Sequence, residues 1–345
     1  LNVDAYSRHP LGTTFIYSRR NIMANTTFKG TVRAESGLKV TTQAASTGVY
    51  TDDFSVSSAG ILTRRQPAIL CDWDYISCPT PIVSNLTGAG GADGVMADGE
   101  LFSMLWPNTT GQLCPAQCSV VAAHTVAASG FMVEGTIPAT DTNNTVAGLN
   151  LQGDAATADN TGLEIVFGGT QFGGYGACTI GTHAMTFDAT FHSEDWTDQD
   201  AVTIGFRKVE EFETGHGAIL AAASGDALYT DFVAFGVQSA DDVQIASRLN
   251  DGTSSYTDST DATAASKNHR FKISVTSGGV VTYSHVGAQV MDSGTLAAPS
   301  STEAFTFDDG DTVVPYLIIQ STSANSAILV KSLKITRTPG TKFTD

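Results

Sequence analysis

The sequence predicts an all-β protein, and three observations carry that prediction. Charged residues make up only 15% of the 345 residues, against about 25% in an average soluble domain, and Ser, Thr, Asn and 34 glycines take their place. Strong helix formers such as Leu, Glu and Lys are scarce, while Thr and Val, which suit a pleated surface, are abundant. Short runs in which apolar and polar residues alternate are separated by Gly, Asp and Asn clusters, the pattern of strands and turns. An apolar content of 41% suffices for a folded core. The length exceeds what one core comfortably holds, so more than one domain is expected.

Residues 1–22 differ in texture from the rest and lack an initiating Met. The expected start is Met23, with 1–22 read as upstream sequence carried in an open frame. Residues 23–63 form a short β leader. Phe28, Gly30 and Val32 alternate with Lys29, Thr31 and Arg33, and Leu38 and Val40 resume after the turn at Glu35-Ser36-Gly37. A second hairpin runs from Thr51–Val56 to Ile61–Thr63. So few strands cannot bury a core alone and need a partner chain or a surface.

Residues 64–180 are a β-rich middle domain. Its Gly88–Asp98 and Asp141–Asn160 stretches are polar loops, and Val120–Ala128 is a strand rather than a short helix. Residues 181–340 are the clearest part. Met185, Phe187, Ala189 and Phe191 alternate with polar neighbours, as do Val202, Ile204 and Phe206. Further strands are expected at Leu228–Val237, Val243–Leu249, Phe271–Val275, Val280–Val286, Ala304–Phe307, Thr312–Gln320 and Ala327–Thr336. About nine strands at this spacing predict a β-sandwich. Val313–Ile319 is a continuous apolar run and hence a central strand. Pro315 within it signals a bulge or an edge, because proline donates nothing to a ladder.

Two stretches resemble a known group. MANTTFKGTVRAESGLKVTT with TDDFSVSSAGILT is similar to the leader of structural proteins of marine tailed bacteriophages. VTIGFRKVEEFE, HRFKISVTSGGVVTY and AFTFDDGDTVVPYLIIQ resemble the C-terminal sandwich of the same proteins. The resemblance spans residues 23–63 and 180–337. It implies a capsid decoration or fibre-like virion component, assembled in the bacterial host cytoplasm, with a concanavalin-like jelly-roll domain. Its implied partners are the major capsid protein or tail components and further copies of itself, with a trimer expected by analogy with fibres. The leading expectation is a non-enzymatic structural protein. The alternatives are a lectin-like glycan-binding module, free or on a tail fibre, and a glycosidase.

No catalytic, cofactor-binding or metal residue is assigned. The net charge of −17 disfavours nucleic acid, where affinity comes mainly from neutralising phosphates. No apolar run approaches the roughly 18 residues of a membrane helix. A glycosidase needs two carboxylates across the scissile bond. Glu211 and Glu213 would share one face of a strand, but Glu194–Asp200 reads as a polar loop. The sequence contains no nucleophile elbow, phosphate-binding loop or H-E-x-x-H spacing. His183 and His192 flank one strand and read as solvated strand ends.

Cys71, Cys78, Cys114, Cys118 and Cys178 are an odd set without export signals, and His124 follows Cys114 and Cys118. The spacing is too loose for a zinc ribbon, so buried free thiols are expected. Asp308-Asp309-Gly310-Asp311 offers hard oxygens for calcium, but reads first as a tight turn. Glycan-binding aromatics by type are Trp196, Tyr229, Tyr256, Tyr283 and Tyr316, whereas Trp73 and Trp106 should pack in the interior. The N-x-[ST] triplets at Asn25, Asn85, Asn108 and Asn143 are read as chance in a Thr-rich chain.

Overall fold

A computed structural model describes residues 38–43, 50–56, 62–64, 69–74, 78, 82–84, 95–96, 101–106, 116–122, 126–127, 133–136, 147–150, 161–167, 177–193, 196, 199–211, 219–220, 229–237, 242–264, 267–289, 294–321 and 328–338. They form strands, turns and extended segments, with no helix among the described residues. The chain divides into two units, Leu1–Gln66 and Pro67–Asp345.

The first unit holds β1 (Leu38–Gln43), β2 (Tyr50–Val56) and β3 (Leu62–Arg64) in one antiparallel sheet of that order. The β2–β3 hairpin is the one read from the sequence. The expected strand at 28–33, the proposed start at Met23 and residues 1–22 lie outside the described residues.

The second unit holds β4 (Ile69–Asp74), β5 (Ile82–Ser84), β6 (Val95–Met96), β7 (Leu101–Trp106), β8 (Ala116–Ala122), β9 (Val126–Ala127), β10 (Val133–Thr136), β11 (Ala147–Asn150), β12 (Thr161–Phe167), β13 (Cys178–Thr179), β14 (Met185–Ser193), β15 (Gln199–Lys208), β16 (Phe232–Val237), β17 (Asp242–Arg248), β18 (Ser255–Ala262), β19 (Lys267–Val275), β20 (Val281–Gln289), β21 (Thr312–Ser321) and β22 (Ile328–Arg337). A seven-stranded sheet runs β10-β11-β22-β14-β19-β20, with β4 also on β22. A ten-stranded sheet runs β18-β17-β16-β15-β21-β12-β8-β7-β5, with β13 on β21. All their pairings are antiparallel, and late strands are inserted between early ones in both sheets, the crossovers of a jelly roll. The predicted all-β jelly-roll sandwich is what forms.

Alternation explains the core. Met185, Phe187, Ala189 and Phe191 of β14 point inward with Phe271, Ile273 and Val275 of β19. They meet Val202, Ile204 and Phe206 of β15 and Val233, Phe235 and Val237 of β16 from the other sheet. Leu70, Cys71, Trp73, Leu149, Leu163, Ile165 and Phe167 belong to the same core. The boundary expected between a middle domain, 64–180, and a sandwich, 181–340, is therefore not a boundary. Both stretches supply strands to both sheets, because neither alone has enough apolar strand faces to cover the other's.

Four local expectations need correction. Pro315 lies neither at an edge nor at a bulge. It pairs with Phe206 of β15, and on its other side the ladder passes from β12, which ends opposite Tyr316, to β13, which starts opposite Val313. The missing donor falls where the neighbouring strand changes. Ala304–Phe307 is not a strand; Thr306 makes an isolated bridge with Val280. The stretches read as polar loops contain β6 and β11. Within 181–340 the strand not expected from the sequence is β18, Ser-Tyr-Thr-Asp-Ser-Thr-Asp-Ala, which stands at the end of the ten-stranded order and carries little apolar alternation.

The ten-stranded sheet is buried on its second face too. Ile219, Leu220 and Tyr229, from the connection between β15 and β16, pack on Val166, Phe232, Ala234, Val314, Tyr316 and Ile318. Gly205 of β15 lies opposite Tyr316 under this cover. A Cβ there would stand 2.1 Å from the Val233 carbonyl oxygen and 2.7 Å from the Tyr316 ring. Gly205→Ala is expected to destabilise the unit by about 3 kcal/mol or more in urea unfolding, since the contact partner is backbone and cannot yield cheaply. An unchanged midpoint would show that the β15 and β16 backbones can part there at little cost.

Candidate functional site

The outer face of the seven-stranded sheet carries the site. Because inward residues alternate with outward ones, β4 presents Asp72 and Asp74, β22 Ser332 and Lys334, β14 Asp188 and Thr190, and β19 Arg270 and Lys272. Register aligns them into two cross-strand rows. One runs Asp72, Lys334, Asp188, Lys272; the other runs Asp74, Ser332, Thr190, Arg270. The first row alternates in sign, which favours this pairing over like charges side by side.

These residues line a shallow groove of about 210 Å³ with Trp73 and Leu333 contributing to its floor. Arg270 reaches diagonally to Asp188 in a two-pronged contact, Nε to Oδ1 at 2.7 Å and Nη2 to Oδ2 at 2.6 Å. Lys334 Nζ lies 3.4 Å from Asp72 Oδ2. The carboxylates are the sheltered members, at 13% and 15% side-chain exposure, while Arg270 and Lys334 keep 35% and 53%. The groove therefore offers fixed acceptors, exposed donors and the Ser332 hydroxyl on a rigid sheet, with Thr190 buried beneath them. Such a set can hydrogen-bond neighbouring hydroxyls of a polar ligand.

The residues singled out from the sequence do not converge there. Trp196, Tyr229, Tyr283 and Tyr316 are buried in the interior at 4% exposure or less, which removes them as sugar-stacking platforms; Tyr256 is half-buried. Tyr283 and Trp196 pack in the core between the sheets and Tyr229 and Tyr316 under the cover of the ten-stranded sheet, so aromatic type alone does not mark exposure. Trp73 is in the core as expected, whereas the Trp106 side chain lies outside the description. Glu211 is exposed and stands beyond the end of β15, and Glu213 is not among the described residues. Glu210 accepts from the Thr230 amide at 3.1 Å and from its hydroxyl.

His192 is no solvated strand end. It is 2% exposed and its Nδ1 lies 2.7 Å from Asn268 Oδ1. His183 is half-buried in the turn before β14, and its Nδ1 accepts from the Thr179 amide at 3.1 Å. Asp308–Asp311 forms a tight turn around Gly310 at φ 92°, with Asp308 bound to Asn250 and Asp311 to Lys208. Among the described residues no group of three or more His, Cys, Asp or Glu could hold a metal ion. Cys71, Cys78 and Cys178 are free thiols, and burial pushes the Cys71 thiol well above its usual range. Cys114, His124 and the four N-x-[ST] asparagines lie outside the described residues.

Two buried clusters escaped the sequence reading. Under the cover of the ten-stranded sheet, Arg207 Nε donates to Glu164 Oε1 at 2.8 Å, with both side chains fully buried. The Tyr229 hydroxyl donates to the other Glu164 oxygen, and the guanidinium carbon stands 4.1 Å from the centroid of its ring. Between the sheets, His269 and His285 stack with ring centroids 5.3 Å apart beside Trp196 and Phe271. Nothing local in the sequence ties residues 43 or 16 positions apart; only strand pairing does.

No family model and no curated protein matches the sequence. Solved structures similar to it include a lectin from Bauhinia forficata in complex with GalNAc, 11% identical, TM-score 0.41, covering 70% of this chain and 99% of that one. Arcelin-5, a lectin-like defence protein from Phaseolus vulgaris, is 9% identical, with TM-score 0.40 and coverage of 64% and 92%. A protein of unknown function from Shewanella oneidensis is 11% identical, with TM-score 0.37 and coverage of 72% and 90%.

Proposed function

We propose that the chain is a non-enzymatic structural protein of a bacteriophage particle, attached through its N-terminal unit to the major capsid protein or a tail component. The observation that carries this reading is the division at Gln66–Pro67 into a three-stranded unit and a large sandwich. Strands of six, seven and three residues bury too little for stability on their own and gain it by lying on a partner. The sandwich buries the ten-stranded sheet on both faces and turns a polar, ion-paired face outward, which suits an exterior that stays soluble. The resemblance of residues 23–63 and 180–337 to marine phage proteins supports the same reading.

Quantitative mass spectrometry of purified particles of the encoding phage tests it. A copy number near that of the major capsid protein is expected for a capsid decoration, and a few copies for a tail part; absence from the particle overturns the proposal. Deleting residues 23–63 should abolish particle association and leave the second unit unfolding cooperatively.

The groove on the seven-stranded sheet favours a second reading, a carbohydrate-binding module. Its carboxylates, guanidinium and Ser332 hydroxyl are the groups that engage vicinal diols. On a glycan array, saturable binding by the chain should disappear in Asp188→Asn and Arg270→Ala. Their stability should change by no more than about 1 kcal/mol, because the pair is partly exposed. Binding that survives both substitutions would move the site elsewhere.

A further inference from the structure

Arg337 ends β22 and is 2% exposed. Its ladder partner is Met185 of β14, and its Nη1 donates to the Ala177 carbonyl oxygen at 2.9 Å, next to β13 of the opposite sheet. The guanidinium thus sits between the sheets at one end of the sandwich. Its Nε and Nη2 are buried and have no hydrogen-bond partner. Among the described residues no carboxylate pairs with it. A guanidinium cannot shed its charge, and a buried unpaired charge is among the most costly arrangements in a fold.

The neighbours supply donors rather than a counter-charge. The Thr179 amide donates to His183 Nδ1, so the neutral ring carries its proton on Nε2. Burial, and then the Arg337 charge, hold the His183 pKa below 6.5, so the ring adds no charge of its own at neutral pH. Cys178 hydrogen-bonds the Arg337 side chain but offers no thiolate, since burial pushes its pKa to about 11 against the opposing charge and hydrogen bond of Arg337. One fixed positive charge, two guanidinium nitrogens with three N–H groups and no acceptor, and a nearby imidazole N–H call for a single negative charge that brings only acceptors.

We infer that Arg337 and His183 form a binding site for a small inorganic monoanion of the chloride class. The anion would accept from Nε and Nη2 of Arg337 and cancel the charge that disfavours protonation of His183.

The test uses the full chain and chloride, with ionic strength held constant by gluconate. The thermal midpoint is expected to rise with chloride and saturate, and the response to vanish in Arg337→Met. In parallel, the His183 imidazole pKa, followed by NMR, is expected to rise by about half a unit or more as chloride binds. Equal chloride responses in wild type and Arg337→Met overturn the inference. So does a His183 pKa indifferent to chloride, the result expected if a carboxylate of the chain itself neutralises Arg337. If Arg337→Met does not fold, the His183 titration of the wild type decides alone.

Discussion

Lowering the pH from 7 to about 4.5 is expected to remove on the order of 5 kcal/mol of the second unit's stability through two residues, His269 and His285. The Ala264 amide donates to His269 Nε2 at 3.2 Å, so the neutral ring keeps its proton on Nδ1 and donates it to His285 Nε2 at 3.1 Å. The remaining proton of His285, on Nδ1, faces Asp261 Oδ2 at 4.0 Å. Neither ring can accept a proton without breaking one of these contacts. Burial, then the neighbouring His285, brings His269 down to about 3; burial, partly offset by Asp261, brings His285 down to about 4.

Because both folded pKa values lie below the unfolded value of 6.5, the unfolded chain binds more protons between them. Stability is therefore complete above pH 6.5 and falls as the pH drops toward 4 and then 3. A loss of this size is a large part of the 5–15 kcal/mol a domain of ordinary stability has, roughly speaking. Denaturant midpoints at neutral and acid pH measure it. The double variant His269→Gln, His285→Gln should lose most of the pH slope in this window; an unchanged slope would assign acid sensitivity to other groups.

The second large effect is expected at Glu164 and Arg207. Glu164→Gln removes the carboxylate from the buried guanidinium, and Arg207→Met removes the cation from the buried carboxylate. Each should cost about 3–5 kcal/mol, as when one member of a buried pair is removed. The double variant Glu164→Leu, Arg207→Met should recover much of that loss, because desolvation of both charges disappears with them. A double-mutant cycle in urea reads the coupling directly. If the two single losses simply add, the pair is not an interacting unit. The Arg207 charge itself stays fixed at all working pH values: burial opposes it, but Glu164 outweighs burial and raises its pKa.

Both clusters show where sequence reading stops. Arg207 follows Phe206 in an alternation visible in the sequence, whereas Glu164 lies in Leu163-Glu164-Ile165, where no strand is expected from the sequence. Those positions would face water in a simple sandwich. Here Ile219, Leu220 and Tyr229 fold back over that face and bury it, a long-range event that periodicity does not encode. The groove has the same history: Asp188 and Arg270 are visible as outward positions of two strands, but their two-pronged contact depends on the β14–β19 register. Trp196 failed in the other direction, read as a surface aromatic and found beside His269 in the interior.

What the sequence determined by itself is local. Alternation placed β14, β15, β19 and β22 close to their observed positions, because the need to bury one face is written in every second residue, and a continuous apolar run placed β21, which is buried on both faces. The sandwich followed from the number of such strands. What only the tertiary structure decided is how residues 64–180 share both sheets with the later strands, which polar face is covered, and which charges meet there. Those outcomes depend on contacts between residues far apart in the chain. Burial of a polar side chain is set by the partner that arrives over it, not by its own neighbours in sequence.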